Sequence, residues 1–381
     1  MIEVRDFSSR RNFPGDVGND FDVVLRRYDT IQKIHPLLFA AILFGLAWLP
    51  ARFEWQYAFA LWGYFLLDWL TLWLLPRFNK SYGPPQPPVF LLAVLRLPFA
   101  FLPLPINFIL QLIGSLLVVY GFWIEPHRLT ITRQSLETPK LNKHTRLRVL
   151  HLGDLHIERI TSREKRLQQK IKELKPDLIL FSGDILNLSY TYDSLALEHA
   201  RQIMSEWHAP LGVYAVAGSP AVDLAEIVRE FYRQLPVRYL EEERLEIKVN
   251  DQTIHLIGLS CTHRPFVDAP RLEKLLPNGN SNAFTILLYH TPDLAPNAAK
   301  TTVDLQLSGH THGGQVRVPF FGALFTASLY GRAFSSGRYQ LNGLTLYITR
   351  GIGMEGAGAP RVRFLCPPEI ILWEIRGCGE D

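Results

Sequence analysis

The sequence predicts a helical membrane region followed by an α/β domain. Three observations carry this reading. Residues 36–124 hold only six charged residues but six of the eight tryptophans. Eleven of the twelve histidines lie beyond them. From about His127 onward, short apolar runs alternate with amphipathic stretches, the pattern of strands and helices packed in layers. A chain of 381 residues has material for two or three structural units and a sizeable core.

In chain order, residues 1–34 are highly charged before any apolar run begins, so they read as a cytoplasmic N-terminal segment and not as a signal peptide. Residues 35–125 form the membrane region. Its apolar stretches are 36–50, 55–75, 88–104 and 105–124, and a span needs about 20 such residues. The second and fourth meet this, and the first does if it is extended back to Ile31. The third carries Arg96 and is broken by Pro98 and Pro103. About four transmembrane helices are expected, with a re-entrant third stretch as the rival. Trp48, Trp55, Trp73 and Trp123 sit near the ends of these stretches, as interfacial aromatics do. Asp68 and Arg96 are charges inside them, functional candidates by default, and read more simply as a mutual ion pair or as Arg96 snorkelling to the headgroups. Basic residues precede the first stretch (Arg5, Arg10, Arg11, Arg26, Arg27, Lys33) and follow the last (Arg128, Arg133, Lys140, Lys143, Arg146, Arg148). The positive-inside rule therefore puts both ends, and the catalytic domain, on the cytoplasmic side of the cytoplasmic membrane.

Residues 127–133 alternate like a strand, and 126–147 as a whole read as a connector, polar and proline-containing from Leu136. The domain at 148–381 opens with strand–helix–strand–helix–strand: 148–152, 163–174, 176–181, 195–207 and 212–216, then a helix at 225–234. Strands follow at 245–249, 253–259, 285–289, 305–307, 344–348 and 369–375. A mixed sheet or two packed sheets follow from that order. The net charge of +4 fits an anionic membrane surface or phosphorylated substrates. No basic stripe interleaved with aromatics is present, so no nucleic-acid partner is expected. Three scattered cysteines exclude a disulfide framework or a cysteine-based zinc site.

The chemistry lies where the strands end. Asp154 and His156 follow the first strand in GDLH, and Asp184 follows the second in SGD. His290 ends ILLYH, and His310 and His312 sit in SGHTHGGQ. If these ends converge, two carboxylates and four imidazoles meet at one rim, a set suited to borderline divalent ions. Two such ions activate water and stabilise both oxygens of an in-line displacement at phosphorus.

The order GDLH, SGD, LLYH, SGHTHGGQ resembles the calcineurin-like metallophosphoesterases over roughly residues 146–375. The GHTHGGQ variant looks most like their membrane-associated bacterial branch, which includes phosphodiesterases and, more distantly, UDP-2,3-diacylglucosamine diphosphatases. The resemblance implies a four-layer α-β-β-α sandwich around two divalent ions (Mn, Fe or Zn). It implies Asp154, His156 and His312 on the first ion, Asp184 as the bridging catalytic carboxylate, and His290 and His310 on the second. It also implies a phosphodiester or pyrophosphate substrate, with a lipid-linked, UDP-diacylglucosamine-type molecule as one candidate.

One motif of the family is broken. Its Gly-Asn-His is replaced by Gly218-Ser219-Pro220. Ser219 is a poorer ligand than an amide oxygen, and Pro220 carries no proton. Asp223 or Asn187 are candidates to compensate, directly or through water. The alternative function is a metal-binding regulatory module with weakened catalysis. Arg317, Arg332, Arg350, Arg361 and Arg363 could approach a phosphate, but each reads more simply as a surface arginine. His263 has no partner pattern.

Overall fold

The computed structural model describes residues 2–51, 54–277 and 282–379. The outer ends of the first and last predicted segments, residues 1 and 380–381, lie outside that range. Helix α1 (Asp20–Asp29) follows an extended N-terminal stretch and is capped by Asn19, whose side chain accepts from the amide of Asp22. Four apolar helices follow: α2 (Pro36–Ala51), α3 (Trp55–Leu74), α4 (Gln86–Ala100) and α5 (Leu104–Val119). With their continuations, the segments Trp55–Phe78 and Leu104–His127 are long and apolar enough to cross a membrane. The stretch Asp20–Lys33 and α2 together make a pair bent by 107°, and α4 is shorter.

Asp68 on α3 and Arg96 on α4 meet in the middle of these helices. Arg96 donates from Nε and Nη2 to the two Asp68 oxygens at 2.8 Å each. Its remaining donors reach Gln111 and Ser115 on α5. The predicted ion pair therefore also ties a third helix.

The second domain is built from β1 (Thr130–Asn142), β2 (Arg146–Leu152), α6 (Ser162–Leu174), β3 (Leu178–Phe181), α7 (Ser194–Met204), β4 (Val213–Ala215), α8 (Ala225–Arg233) and β5 (Arg238–Tyr239). Next come β6 (Glu243–Val249), β7 (Gln252–Gly258), α9 (Pro265–Leu275), β8 (Thr285–Leu288), α10 (Ala295–Ala298) and β9 (Leu305–Ser308). It closes with β10 (Arg317–Val318), β11 (Gly322–Ala323), β12 (Gly337–Leu341), β13 (Leu344–Ile348) and β14 (Glu369–Gly379).

Two six-stranded sheets result, ordered β1-β14-β2-β3-β4-β5 and β12-β13-β9-β8-β7-β6. Their facing surfaces bury Val149, Leu180, Ile254, Ile286, Leu307 and Trp373 in one core. Helices α6, α7 and α8 cover the outside of the first sheet through Leu167, Ala200 and Phe231. Helices α9 and α10 cover the second through Leu272 and Ala298. The layers run α-β-β-α, as the resemblance implied. Strands β2, β3 and β4 are parallel neighbours, as are β7, β8 and β9. Each set of three therefore ends at one rim, outside the carboxyl ends of its strands.

Local sequence explains the elements. Helix α6 starts with a capping box: Thr161 accepts from the backbone, and Glu164 accepts from the Thr161 amide at 2.8 Å. It stops at Lys175, which adopts a left-handed backbone. The polar stretch predicted as a connector is instead most of β1. That strand lies on the edge of its sheet, where Pro139 is tolerated because one side of the strand needs no ladder bonds. Helix α9 was not expected; Pro265 and Pro270 hide it from a propensity reading.

The two domains are fastened together. Glu158 accepts from the Tyr82 amide at 2.8 Å and from Arg361 Nε at 2.9 Å. Glu125 accepts from the amides of Leu365 and Cys366. The N-terminal segment also lies on the second domain. Phe13 is buried, the Gly15 carbonyl accepts from Ala221, and the Leu25 carbonyl accepts from Gly358.

Candidate metal centre

Six loops meet at the rim, three from each sheet. Asp154 and His156 follow β2, Asp184 follows β3 and Ser219 follows β4. From the other sheet, His263 follows β7, His290 follows β8, and His310 and His312 follow β9. The side chains fall into two groups whose ligand atoms lie within 4.8 Å of one another: Asp154, His156, Asp184 and His312, and then His263, His290 and His310. All six residues predicted as ligands are among them. Asp184 stands between the groups, with Oδ2 at 3.5 Å from His156 Nε2 and 3.3 Å from His290 Nε2.

The backbone prepares these side chains. Asp154, His156, Asp184, His263, His310 and His312 all adopt positive φ. Non-glycine residues in that region are uncommon, and they cluster at functional sites. Gly218 lets the β4 loop approach: a Cβ there would overlap the Asp184 carboxylate. The Ser219 amide then donates to Asp184 Oδ1 at 2.7 Å.

The donors suit divalent ions. His156 Nδ1 faces the Leu186 carbonyl at 3.2 Å, and His290 Nδ1 faces the Ser182 carbonyl at 2.8 Å. A ring nitrogen against a carbonyl must carry the proton, so each Nε2 presents a lone pair to the centre. His156 Nε2 and His312 Nε2 lie 2.9 Å apart. Asp154 Oδ2, His263 Nε2, His310 Nε2 and His312 Nδ1 are buried without hydrogen-bond partners. Buried polar atoms without partners are costly, and a cation would satisfy Asp154 Oδ2; His312 faces the cluster with Nε2 and His310 with Nδ1, so their unpartnered nitrogens lie on the far side of each ring.

The electrostatics agree. Burial pushes the Asp154 carboxyl up to about 6, opposed by His290 and reinforced by the charge of Asp184. Burial would raise Asp184 as well, but His290, His156 and His310 hold it well below the usual carboxylate range. Burial disfavours a charged His290, yet Asp184 and Asp154 outweigh it and lift the ring to about 9; without an ion the ring itself is the cation, and Nε2 gives up its proton when a metal binds. Burial lowers His310 to about 3 and takes His312 far below the usual value, leaving both rings neutral.

Ser219 occupies the place of the missing amide. Its Oγ is 3.1 Å from His290 Nε2 and 3.3 Å from His310 Nδ1. The two other candidate replacements are committed elsewhere. Asp223 accepts from the amides of Asp184, Ile185 and Gly218 at 2.7–2.9 Å, bracing the two loops. Asn187 donates to the Met354 carbonyl and accepts from the Ser189 amide. Replacing Asp223 by Ala strands three backbone donors. Each buried donor left unpaired costs about 1–3 kcal/mol, so a loss of about 3 kcal/mol in thermal unfolding is expected, with weaker metal binding.

Three downstream arginines are also structural. Arg350 pairs with Glu369, Arg361 pairs with Glu158, and Arg363 donates to the carbonyls of Arg350, Gly351, Gly353 and Cys366. Two features were missed by sequence reasoning. His263 reaches the centre, and the one available signal was its place after an apolar run, LIGLSCTH. The N-terminal segment also reaches it: Gly15 lies against the His263 ring.

Comparison with known proteins follows the geometry. Residues 147–314 match the family model of the calcineurin-like phosphoesterases. An uncharacterized metallophosphoesterase of Aquifex aeolicus is 30% identical over 70% of this chain and 99% of its own length. The uncharacterized metallophosphoesterase YkuE of Bacillus subtilis is 29% identical over 68% and 89%. The UDP-2,3-diacylglucosamine pyrophosphatase LpxG of Chlamydia trachomatis is 26% identical over 67% and 91%. The chain thus belongs to the calcineurin-like phosphoesterases, metal-dependent hydrolases of phosphoester bonds.

Proposed function

We propose that this protein is a membrane-anchored phosphohydrolase that holds two divalent ions and cleaves a phosphodiester or pyrophosphate of a lipid-linked substrate. The convergence of Asp154, His156, Asp184, His290, His310 and His312 at one rim supports the hydrolase most directly. Asp154, His156 and His312 hold the first ion, His290 and His310 the second, and Asp184 serves both. The ions supply Lewis acidity toward the phosphoryl oxygens and a water of lowered pKa. The chain's own residues fix their positions, and His290, His156 and His310 keep Asp184 ionised. Pro220 supplies no proton, so the leaving group would take its proton from water or from another residue.

A groove supports the lipid-linked substrate. It has a volume of about 450 Å³ between α4, α5 and the loops that follow His312, and its walls include Leu92, Leu117, Phe122, Val316, Leu324 and Phe364. That volume lies within the roughly 300–1,000 Å³ of small-molecule sites. Val316 is four residues beyond His312, which links the groove to the metal loop. Phe320, Phe321, Leu324 and Phe325 nearby are exposed and apolar. They suit a surface lying against a bilayer. A diacylated sugar nucleotide, the substrate named for LpxG, is one molecule of this class. The basic residues flanking the apolar helices support a cytoplasmic catalytic domain.

The substrate class is tested with one pyrophosphate headgroup carried on acyl chains of increasing length. Each methylene moved from water into the groove is worth about 0.8 kcal/mol. With short-chain substrates kept monomeric below their micelle concentration, the ratio kcat/KM should therefore rise up to about 15-fold per two carbons until the groove is filled. A ratio independent of chain length for the monomeric substrates would remove the lipid from the proposal. The replacement of Asn and His by Ser219 and Pro220 favours a second reading, a metal-binding module without turnover. Its signature is metal uptake and phosphate binding with no hydrolysis of any of these substrates.

A further inference from the structure

We propose that His263 is a ligand of the second metal ion, taking over the coordination left weak by Ser219. This rests on the dinuclear reading above and concerns a residue outside the four sequence blocks GDLH, SGD, LLYH and GHTHGGQ.

Five observations converge. His263 follows β7, the third of the parallel strands in its sheet, so topology brings its loop to the same rim as His290 and His310. One of its ring nitrogens lies within 4.8 Å of ligand atoms of both those residues. Its ring centroid is 4.7 Å from that of His310 and 6.1 Å from that of His290. The side chain is buried, and Nε2 packs against Gly15 with no hydrogen-bond partner to hold the ring in another role. Its φ of 59° is the left-handed conformation shared by Asp154, His156, Asp184, His310 and His312. A core histidine needs none of these features. An imidazole held beside two others, buried and unpartnered on a strained backbone, is what a ligand position requires.

The surroundings hold the ring in place. The His263 amide donates to Cys261 Sγ at 3.3 Å. The N-terminal segment closes the outer side: Gly15 lies so near the ring that a Cβ there would overlap it. Asp16 pairs with Arg264, and Arg264 in turn lies 5.2 Å from the Phe13 ring centre. Coordination chemistry gives the reason for the exchange. A serine hydroxyl is a weak neutral donor, whereas imidazole nitrogen binds borderline divalent ions well. The second site would then carry His263, His290 and His310, with Asp184 shared and Ser219 beside them.

The test counts ions, so it does not depend on turnover. The full-length chain in detergent is stripped with a chelator and titrated with Co²⁺, with bound metal measured by elemental analysis and by the visible Co²⁺ absorption. Wild type should bind two ions. His263→Gln should keep the first and bind the second at least 10-fold more weakly. Adding Ser219→Asn to His263→Gln should bring the second ion back, because the amide restores the missing donor. His263→Asn is the substitute if His263→Gln does not fold, with the same loss expected. Circular dichroism of the stripped proteins reports folding. A folded variant that binds both ions as wild type does, or that loses both, would overturn the role of His263. Wild type that binds no ion would instead overturn the dinuclear reading itself.

Discussion

Replacing Asp184 by Asn should lower metal-dependent hydrolysis by about 10²–10³-fold and leave the fold intact. The size follows from the position. Asp184 is the one carboxylate between the two groups of ligands, close to both His156 and His290. It is also the group most strongly held in its charged form. Asn keeps the shape and can still accept from the Ser219 amide. It removes the negative charge that, in the proposed site, serves both ions, and losing one such preorganised electrostatic contact costs about 10²–10³-fold. Bound metal per chain should fall from two to one or fewer, measured by elemental analysis beside turnover of an aryl phosphodiester. Unchanged metal content with unchanged turnover would remove Asp184 from the mechanism.

The second large effect lies among the apolar helices α3, α4 and α5. Arg96→Leu leaves the Asp68 carboxylate buried among apolar helices with no cation. Breaking a buried pair from one side costs about 3–5 kcal/mol. Arg96 also donates to Gln111 and Ser115, so three helices loosen together. The expected result is a large drop in the thermal unfolding midpoint in detergent. The double change Asp68→Leu with Arg96→Leu should recover most of that loss, because no unpaired charge remains. A single variant as stable as wild type would show that the pair contributes nothing to helix packing.

Much of the architecture was legible because its signals are local. Each predicted ligand follows an apolar run, and an apolar run of four to seven residues in an α/β domain marks a strand end. GDLH, SGD, LLYH and GHTH therefore announce the rim without any knowledge of the sheets. The alternation of strands and helices left a mixed sheet or two packed sheets open, and the four-layer order came from the resemblance. The residues that escaped are those whose meaning is nonlocal. His263 sits in LSCTH, which has no motif spacing; only the pairing of β7 with β8 places it beside His290. Residues 136–142 looked like a connector because they are polar and contain Pro139, features that an edge strand tolerates. The N-terminal segment carries charges suited to solvent, yet Phe13, Gly15 and Leu25 dock onto loops more than 200 residues away in the chain. Asp223 looked like a spare ligand, and only the hydrogen bonds to Asp184, Ile185 and Gly218 reveal it as a brace.

The most direct test of the account is turnover of an aryl phosphodiester by the chelator-stripped, detergent-solubilised protein as Mn²⁺ is added back, with bound ions counted in the same samples. The account predicts no hydrolysis without metal, and activity that appears as the second ion binds. Activity that persists after complete removal of metal would contradict it, as would a protein that holds two ions and cleaves neither soluble nor lipid-linked phosphoesters.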